Sequence, residues 1–267
     1  MIRRPISWQW HVGLGVASVL LCIALYGLLS YLQHKRNPND KLIPTYRQIF
    51  TDGIVKAFTP ESGSGKVLVW EDTKSTFGRL LKGLAVAALL SMFVGILMGC
   101  YAPIEAFFLP PLSFLAKIPP TAALAIFFVT ARSDPQFFLT MMVFGLFPTM
   151  AQSIYHAAKE DVPEELLFKA RTLGASQIEC IYDVIYKHIL PKVLESIRLQ
   201  IGPAIVYLIA AELLVGDVGL GCRMRILYKK LDMSIVYVYL MWLALAGFVI
   251  DSGIRWVQRK LCPWYST

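Results

Sequence analysis

Between residues 12 and 32 the chain carries no charge, and comparable apolar runs return at 83–101, 136–158, 199–215 and 233–250. Each is close to the roughly 20 residues that a helix needs to cross a hydrocarbon layer of about 30 Å. Hydrocarbon offers the backbone no hydrogen-bond partners, so such runs must satisfy their own amides, as helices do. A mean hydropathy of +0.56, with 56% hydrophobic and 16% charged residues, places the chain among integral membrane proteins.

A sixth run is less regular. Pro103, Pro110, Pro111, Pro119 and Pro120 break the passage before Ala131, which reads as a kinked, partly interfacial segment followed by a third span. Arg132-Ser133-Asp134-Pro135 then reads as a tight turn. The expected architecture is all-α and polytopic, with six transmembrane helices. Residues 1–33 would hold a tail, with Arg3-Arg4, and the first helix; 34–77 an external polar loop; and 78–267 a five-helix core with a loop at 159–192.

Gly83, Ala87, Ser91, Gly95 and Gly99 recur every four positions along the second span, a stripe that lets another helix approach closely. In the polar loop, Asn37-Pro38-Asn39-Asp40 and the stretch from Thr59 to Gly65 are turn signals. Tyr46, Ile49, Phe50, Ile54 and Phe58 between them have the spacing of an amphipathic interfacial helix. The first run is longer than a signal-peptide core and lacks a small-residue cleavage site, so it stays as a helix.

Several chemistries are excluded. The net charge of +8 lies mostly between apolar runs, which argues for membrane-flanking anchors and against nucleic acid. Cys22, Cys100, Cys180, Cys222 and Cys262 are scattered without paired spacing, and His11, His34, His156 and His188 form no metal-binding pair. No metal, cofactor or catalytic residue is expected. Gly63-Ser64-Gly65-Lys66 fails as a phosphate loop, because Pro60 stands where glycine is needed and Val67 where Ser or Thr would hold magnesium. Gly13-Leu14-Gly15 lies in a span too apolar to bind a dinucleotide.

The polar stretch from Glu164 to Pro191 stands out against this background. Helical spacing puts Leu166, Ala170 and Leu173 on one face and leaves Glu165, Lys169 and Arg171 wet. Gly174 is placed to end that helix in a left-handed conformation, and Ser176 to cap a second helix with Ile178, Ile181 and Ile185 on a shared face. The local reading is a helix-turn-helix at the membrane surface.

The run Phe168-Lys169-Ala170-Arg171-Thr172-Leu173-Gly174-Ala175-Ser176, with Leu190-Pro191 downstream, resembles the EAA loop of ABC importer permeases. Phe168 and Lys169 replace the glutamate and first alanine of that pattern, and the Gly174-to-Pro191 interval is longer by about one helical turn. Ala210-Ala211-Glu212-Leu213-Leu214-Val215-Gly216-Asp217-Val218-Gly219-Leu220-Gly221 is similar to the fifth-helix signature of the nitrate, sulfonate, taurine and bicarbonate branch. The resemblance covers roughly residue 76 to the C-terminus. It implies a type I (MetI-like) importer permease fold and a bacterial inner-membrane subunit without catalytic activity of its own. Implied partners are cytoplasmic ATPase subunits, a second copy of the chain and an external substrate-binding protein, with a small, anionic nutrient as substrate. The loop residues Phe168, Lys169, Ala170, Leu173, Gly174, Ala175, Leu190 and Pro191 would couple to the ATPases. Lys and Arg are about equally frequent in loops of either parity, so orientation too comes from the resemblance, with both termini cytoplasmic.

Glu212 is the clearest intramembrane carboxylate. It reads either as part of a translocation path or gate, with Gly216, Gly219 and Gly221 in a flexible connection, or as a structural carboxylate paired with Arg132 or with a residue of 223–230. An ion-coupled secondary transporter is the alternative that Glu212 keeps open. Asp251, Arg255, Arg259 and Lys260 close the chain in water.

Overall fold

The computed structural model describes residues 7–38, 40–60, 65–131 and 134–265, and every regular element among them is helical. Arg3-Arg4, Asn39, the 61–64 part of the second turn signal and the Arg132-Ser133 half of the expected tight turn lie outside the described residues.

Residues 1–68 and 226–241 form one compact unit, and 69–225 with 242–267 another. The first holds α1 (Trp8–Arg36), a π-helical turn (Gln48–Gly53) and α2 (Ile54–Phe58). The side chains of α1 are largely exposed, including Leu20, Leu21 and Leu29, a surface suited to hydrocarbon and not to water. One face is polar-linked: the Tyr26 hydroxyl donates to the Pro44 carbonyl at 2.7 Å, and Tyr26 rests against the rings of Tyr46 and Tyr237. The expected amphipathic helix over 46–58 is replaced by the wider π turn and the short α2. Ile49, Gly53 and Ala57 face inward while Phe50 is exposed. Gly53 is needed there, since a Cβ would meet the Ser234 carbonyl at 2.6 Å.

The second unit is built around α6 (Asp134–Glu160), whose Met141, Met142, Leu146 and Met150 are fully buried. Against it pack α3 (Leu68–Cys100), α4 (Ala102–Leu115) and α5 (Leu124–Thr130). The return path adds α7 (Glu164–Thr172), α8 (Gln177–Glu179), a π-helical stretch (Cys180–Tyr186), α9 (Lys187–Leu199) and α10 (Ile201–Val215). The chain ends with α11 (Leu220–Lys229) and α12 (Met233–Leu261).

The small-residue stripe does what its spacing promises. A Cβ at Gly83 would meet Met142 Sδ at 2.5 Å, one at Gly95 the Ala151 carbonyl at 2.8 Å, and one at Gly99 the Ala158 Cβ at 2.5 Å. Ser91 Oγ donates to the Phe147 carbonyl at 3.2 Å. Lipid tails are as apolar as leucine, so close backbone approach and buried hydrogen bonds of this kind drive helix pairing in a membrane.

Five helices among the described residues are long and apolar enough to cross a bilayer. The third expected span differs. The 14-residue α4 and the 7-residue α5 reach only about 21 Å and 10 Å at 1.5 Å per residue, each short of the hydrocarbon thickness. Pro119 and Pro120 lack amide hydrogens and fall between the two, where the helix is interrupted. The second span, by contrast, starts earlier than the apolar run suggests. α3 opens at Leu68, so its first turns carry polar side chains from the expected external loop.

Candidate functional site

Two constructions stand out. The first is the turn between α7 and α8. Gly174 has φ 86°, and the last carbonyls of α7 are taken up around it: Ala175 N–H bonds to Ala170 O at 3.0 Å and Gly174 N–H to Arg171 O at 3.0 Å. This is the paired closure that a left-handed residue permits. Ser176 Oγ then accepts from Glu179 N–H at 3.3 Å while the Glu179 carboxylate accepts from Ser176 N–H at 2.7 Å, a reciprocal cap. The bond from the Ser176 amide holds the Glu179 carboxyl below its ordinary range.

No residue of α7 is buried. Leu173 is 88% exposed and Ile178 78%, with Phe168 and Tyr182 also out. Lys169 is exposed, while Ala170 and Ala175 are half-buried. Two expectations of face need correction. Leu167, and not Leu166, packs inward, on the cluster of Ile154, Ala158, Ile185 and Ile189. Ile178 leaves the face shared by Ile181 and Ile185, because the π-helical stretch that begins at Cys180 shifts the register. Leu190 and Pro191 do not join the exposed turn. Pro191 is buried in α9, and its carbonyl accepts from Gln258 Nε2 at 3.0 Å.

The second construction surrounds Glu212, which is fully buried near the end of α10. Its carboxylate accepts from Thr76 Oγ1 at 2.9 Å, Arg79 Nη1 at 2.9 Å and Gly221 N–H at 2.9 Å. Thr76 in turn accepts from Leu220 N–H at 2.9 Å, and Arg79 also donates to the Val218 carbonyl at 2.7 Å. Arg79 lies over the Phe138 ring at 4.1 Å. One turn earlier on α3, buried Asp72 accepts from Gly219 N–H at 3.1 Å and Arg223 Nε at 2.9 Å. The carbonyls at the end of α10 are closed by Arg225, which donates to Leu213, Leu214 and Gly216 at 3.1, 2.8 and 2.9 Å. A guanidinium there also opposes the negative end of the helix dipole.

Among the described residues the charged partner of Glu212 is Arg79, and not a residue of 223–230; the other expected partner, Arg132, lies outside the described residues. Arg223 is engaged by Asp72 instead. The connection expected to be flexible is instead bonded along its length: Val218 O, Gly219 N–H and Leu220 N–H to Arg79, Asp72 and Thr76 of α3, Gly221 N–H to Glu212, and Gly216 O to Arg225. The glycines are required by proximity. A Cβ at Gly219, where φ is 137°, would lie 2.5 Å from Glu212 Oε1, one at Gly221 2.7 Å from Glu212 Cβ, and one at Gly216 2.9 Å from Glu212 O. Sequence reasoning missed Asp72, Thr76 and Arg79. Their only signal is polar residues at three- and four-residue spacing ahead of an apolar run.

Beside this node lies a cavity of about 660 Å³ lined by Lys74, Arg79 and Lys82 together with Glu71, Phe138 and Val218. Among the described residues no group of His, Cys, Asp and Glu could hold a metal ion.

An all-helical membrane chain of this design has solved counterparts among importer permeases. The fold matches structures of the MetNI methionine ABC transporter in inward-facing conformations, with a TM-score of 0.58 and 16% identity, covering 73% of this chain and 94% of that one; a second crystal form gives 0.57 and 19%. Residues 87–262 match the family model of the binding-protein-dependent transport system inner membrane component. The chain belongs to that family of permease subunits, whose ATPase activity resides in partner subunits. It is 23% identical to the taurine transport system permease protein TauC of Escherichia coli (strain K12), over 98% of this chain and 94% of the relative. It is 24% identical to the bicarbonate transport system permease protein CmpB of Synechococcus elongatus, over 90% and 88%.

Proposed function

We propose that this permease subunit moves a small anion across the bacterial inner membrane as a homodimer, driven by ATP hydrolysis in cytoplasmic subunits that grip the α7–α8 turn. The observation that carries this reading is the turn itself. Gly174 and the Ser176–Glu179 cap hold it rigid by local bonds, while Leu173 and Ile178 face outward without cover. A rigid knob with an apolar tip suits insertion into a groove of another protein and transmits displacement without deforming. ATP binding by the partners would then shift the population between inward- and outward-open states.

A solute with an anionic oxygen group fits Lys74, Arg79 and Lys82 beside the node, and the taurine and bicarbonate relatives are named for solutes that carry such a group, a sulfonate balanced by an ammonium in the one and a bicarbonate in the other. Glu212 serves here as a structural carboxylate that fixes Arg79 and the 216–221 segment at the gate. A bare carboxylate facing the path would repel such a solute. Against the ion-coupled alternative stands the enclosure of Glu212 by donors from two directions. An external binding protein delivers the solute, and both termini are cytoplasmic, with α4 and α5 together making the third crossing.

The test is association. Leu173→Asp should leave the permease in the membrane at normal abundance but abolish co-purification of the ATPase and uptake together. Retention of a stoichiometric ATPase complex in that variant would overturn the docking assignment.

A further inference from the structure

The end of α12 carries a cluster that neither construction uses. Asp251 is held by Arg198 of α9 at 3.4 Å and by Arg255 at 2.7 Å. Buried Gln258 is fixed by its bond to the Pro191 carbonyl. These contacts frame a pocket of about 230 Å³ lined by Glu195, Arg198, Arg255, Gln258, Arg259 and Tyr265. That is below the roughly 300–1,000 Å³ of pockets that enclose a whole drug-sized molecule, but ample for a phosphate group. The chain therefore does not end in simple solvated charges. Counting Lys260, four cations there face two carboxylates, Glu195 and Asp251.

The neighbours of the pocket are amphipathic. Trp256 and Trp264 are 63% and 62% exposed, and Lys260 Nζ lies 5.2 Å from the centre of the Trp256 ring. Tryptophan at the end of a membrane-length helix settles at headgroup depth, and basic pockets between membrane helices take anionic lipid heads. We infer that this pocket binds the phosphate group of an anionic phospholipid, with Arg255 and Arg259 as its cations and Trp256 and Trp264 in the surrounding headgroup layer. A free phosphate would use the same cations but gain nothing from the indoles, which is why the lipid is the favoured source.

The experiment is native mass spectrometry of the full-length permease in micelles containing equal phosphatidylglycerol and phosphatidylcholine. Wild type should retain phosphatidylglycerol preferentially. Arg259→Gln/Lys260→Gln, which spares both Asp251 pairs and removes only exposed side chains, should lower that preference about fivefold per cation. Lys229→Gln/Lys230→Gln removes the same charge from the exposed end of α11 and should leave it unchanged. Trp256→Ala/Trp264→Ala keeps every charge and should also reduce retention. Equal loss in the α11 variant would reduce the effect to general charge, and displacement of the lipid by millimolar inorganic phosphate would make this a free-anion site. Either outcome, or no preference in wild type, overturns the proposal.

Discussion

Arg79 and Glu212 are 133 residues apart in the chain and 2.9 Å apart in the fold, joining the polar start of α3 to the end of α10. Glu212 is completely buried and the Arg79 side chain is 15% exposed. Removing one partner of such a pair strands the other charge, which typically costs about 3–5 kcal/mol, whereas replacing both by apolar groups is often near neutral. Arg79→Leu should therefore lower the thermal stability of the purified permease sharply, and Arg79→Leu/Glu212→Leu should recover much of the loss. Additive single-variant effects in that cycle would show that the two residues are not coupled.

The glycines around Glu212 should be intolerant in a position-specific way. Gly219→Ala drives a methyl group into the carboxylate in a backbone region that disfavours side chains, so membrane abundance should fall. Gly202→Ala, in α10 with open space around it, should be neutral or stabilising by about 0.5–1 kcal/mol, since alanine is the better helix former. Quantitative immunoblotting with a melting curve checks both. Equal tolerance at the two sites would contradict the packing described for 216–221.

Helix pairing along the stripe gives a third prediction. Gly95→Leu must displace the Ala151 carbonyl and Ile154, separating α3 from α6, and should cost about 1–3 kcal/mol, as overpacking of a core does. Gly78→Leu, on the same helix but facing open space, should not. Limited proteolysis in detergent distinguishes them, with rapid digestion expected for the Gly95 variant alone.

What could be read from the sequence, and what could not, divides along the range of the interactions. The α7–α8 turn is legible because a left-handed glycine at 174 and a serine cap at 176 act within a few residues; the return bond from Glu179 is added by the structure. The stripe from Gly83 to Gly99 was legible because a period of four survives in any straight helix. The Glu212 node was not, since Thr76 and Arg79 are brought to it only by the packing of α3 on α10, and nothing local marks them. The face of Ile178 was misjudged because one π-helical stretch moves every later side chain around the axis. The break before the third span is legible in its prolines, but the span expected after it is only the seven-residue α5, because apolar composition shows where a chain avoids water and not how far helical hydrogen bonding continues.

Orientation is open to direct labelling. In a cysteine-free background, a single cysteine at Ser64 should react with a membrane-impermeant maleimide in intact cells, and one at Ser176 only after permeabilisation. The reverse pattern would place the α7–α8 turn outside, beyond reach of ATP.

The central claim is that the α7–α8 turn carries coupling, and Gly174 tests it most directly. Nothing lies within 4 Å of a Cβ there, so the penalty of Gly174→Val comes from the left-handed backbone alone, on the order of 1–2 kcal/mol. That strain re-aims α8 and Ile178 without touching the membrane helices. Gly174→Asn, which tolerates the conformation, should behave nearly as wild type. The decisive measurement is ATPase co-purification and solute uptake in Gly174→Val at matched membrane abundance. Both should be lost. Normal uptake in that variant, with uptake abolished in an abundant Glu212→Gln permease, would contradict the account and move the energy input from the turn to the buried carboxylate.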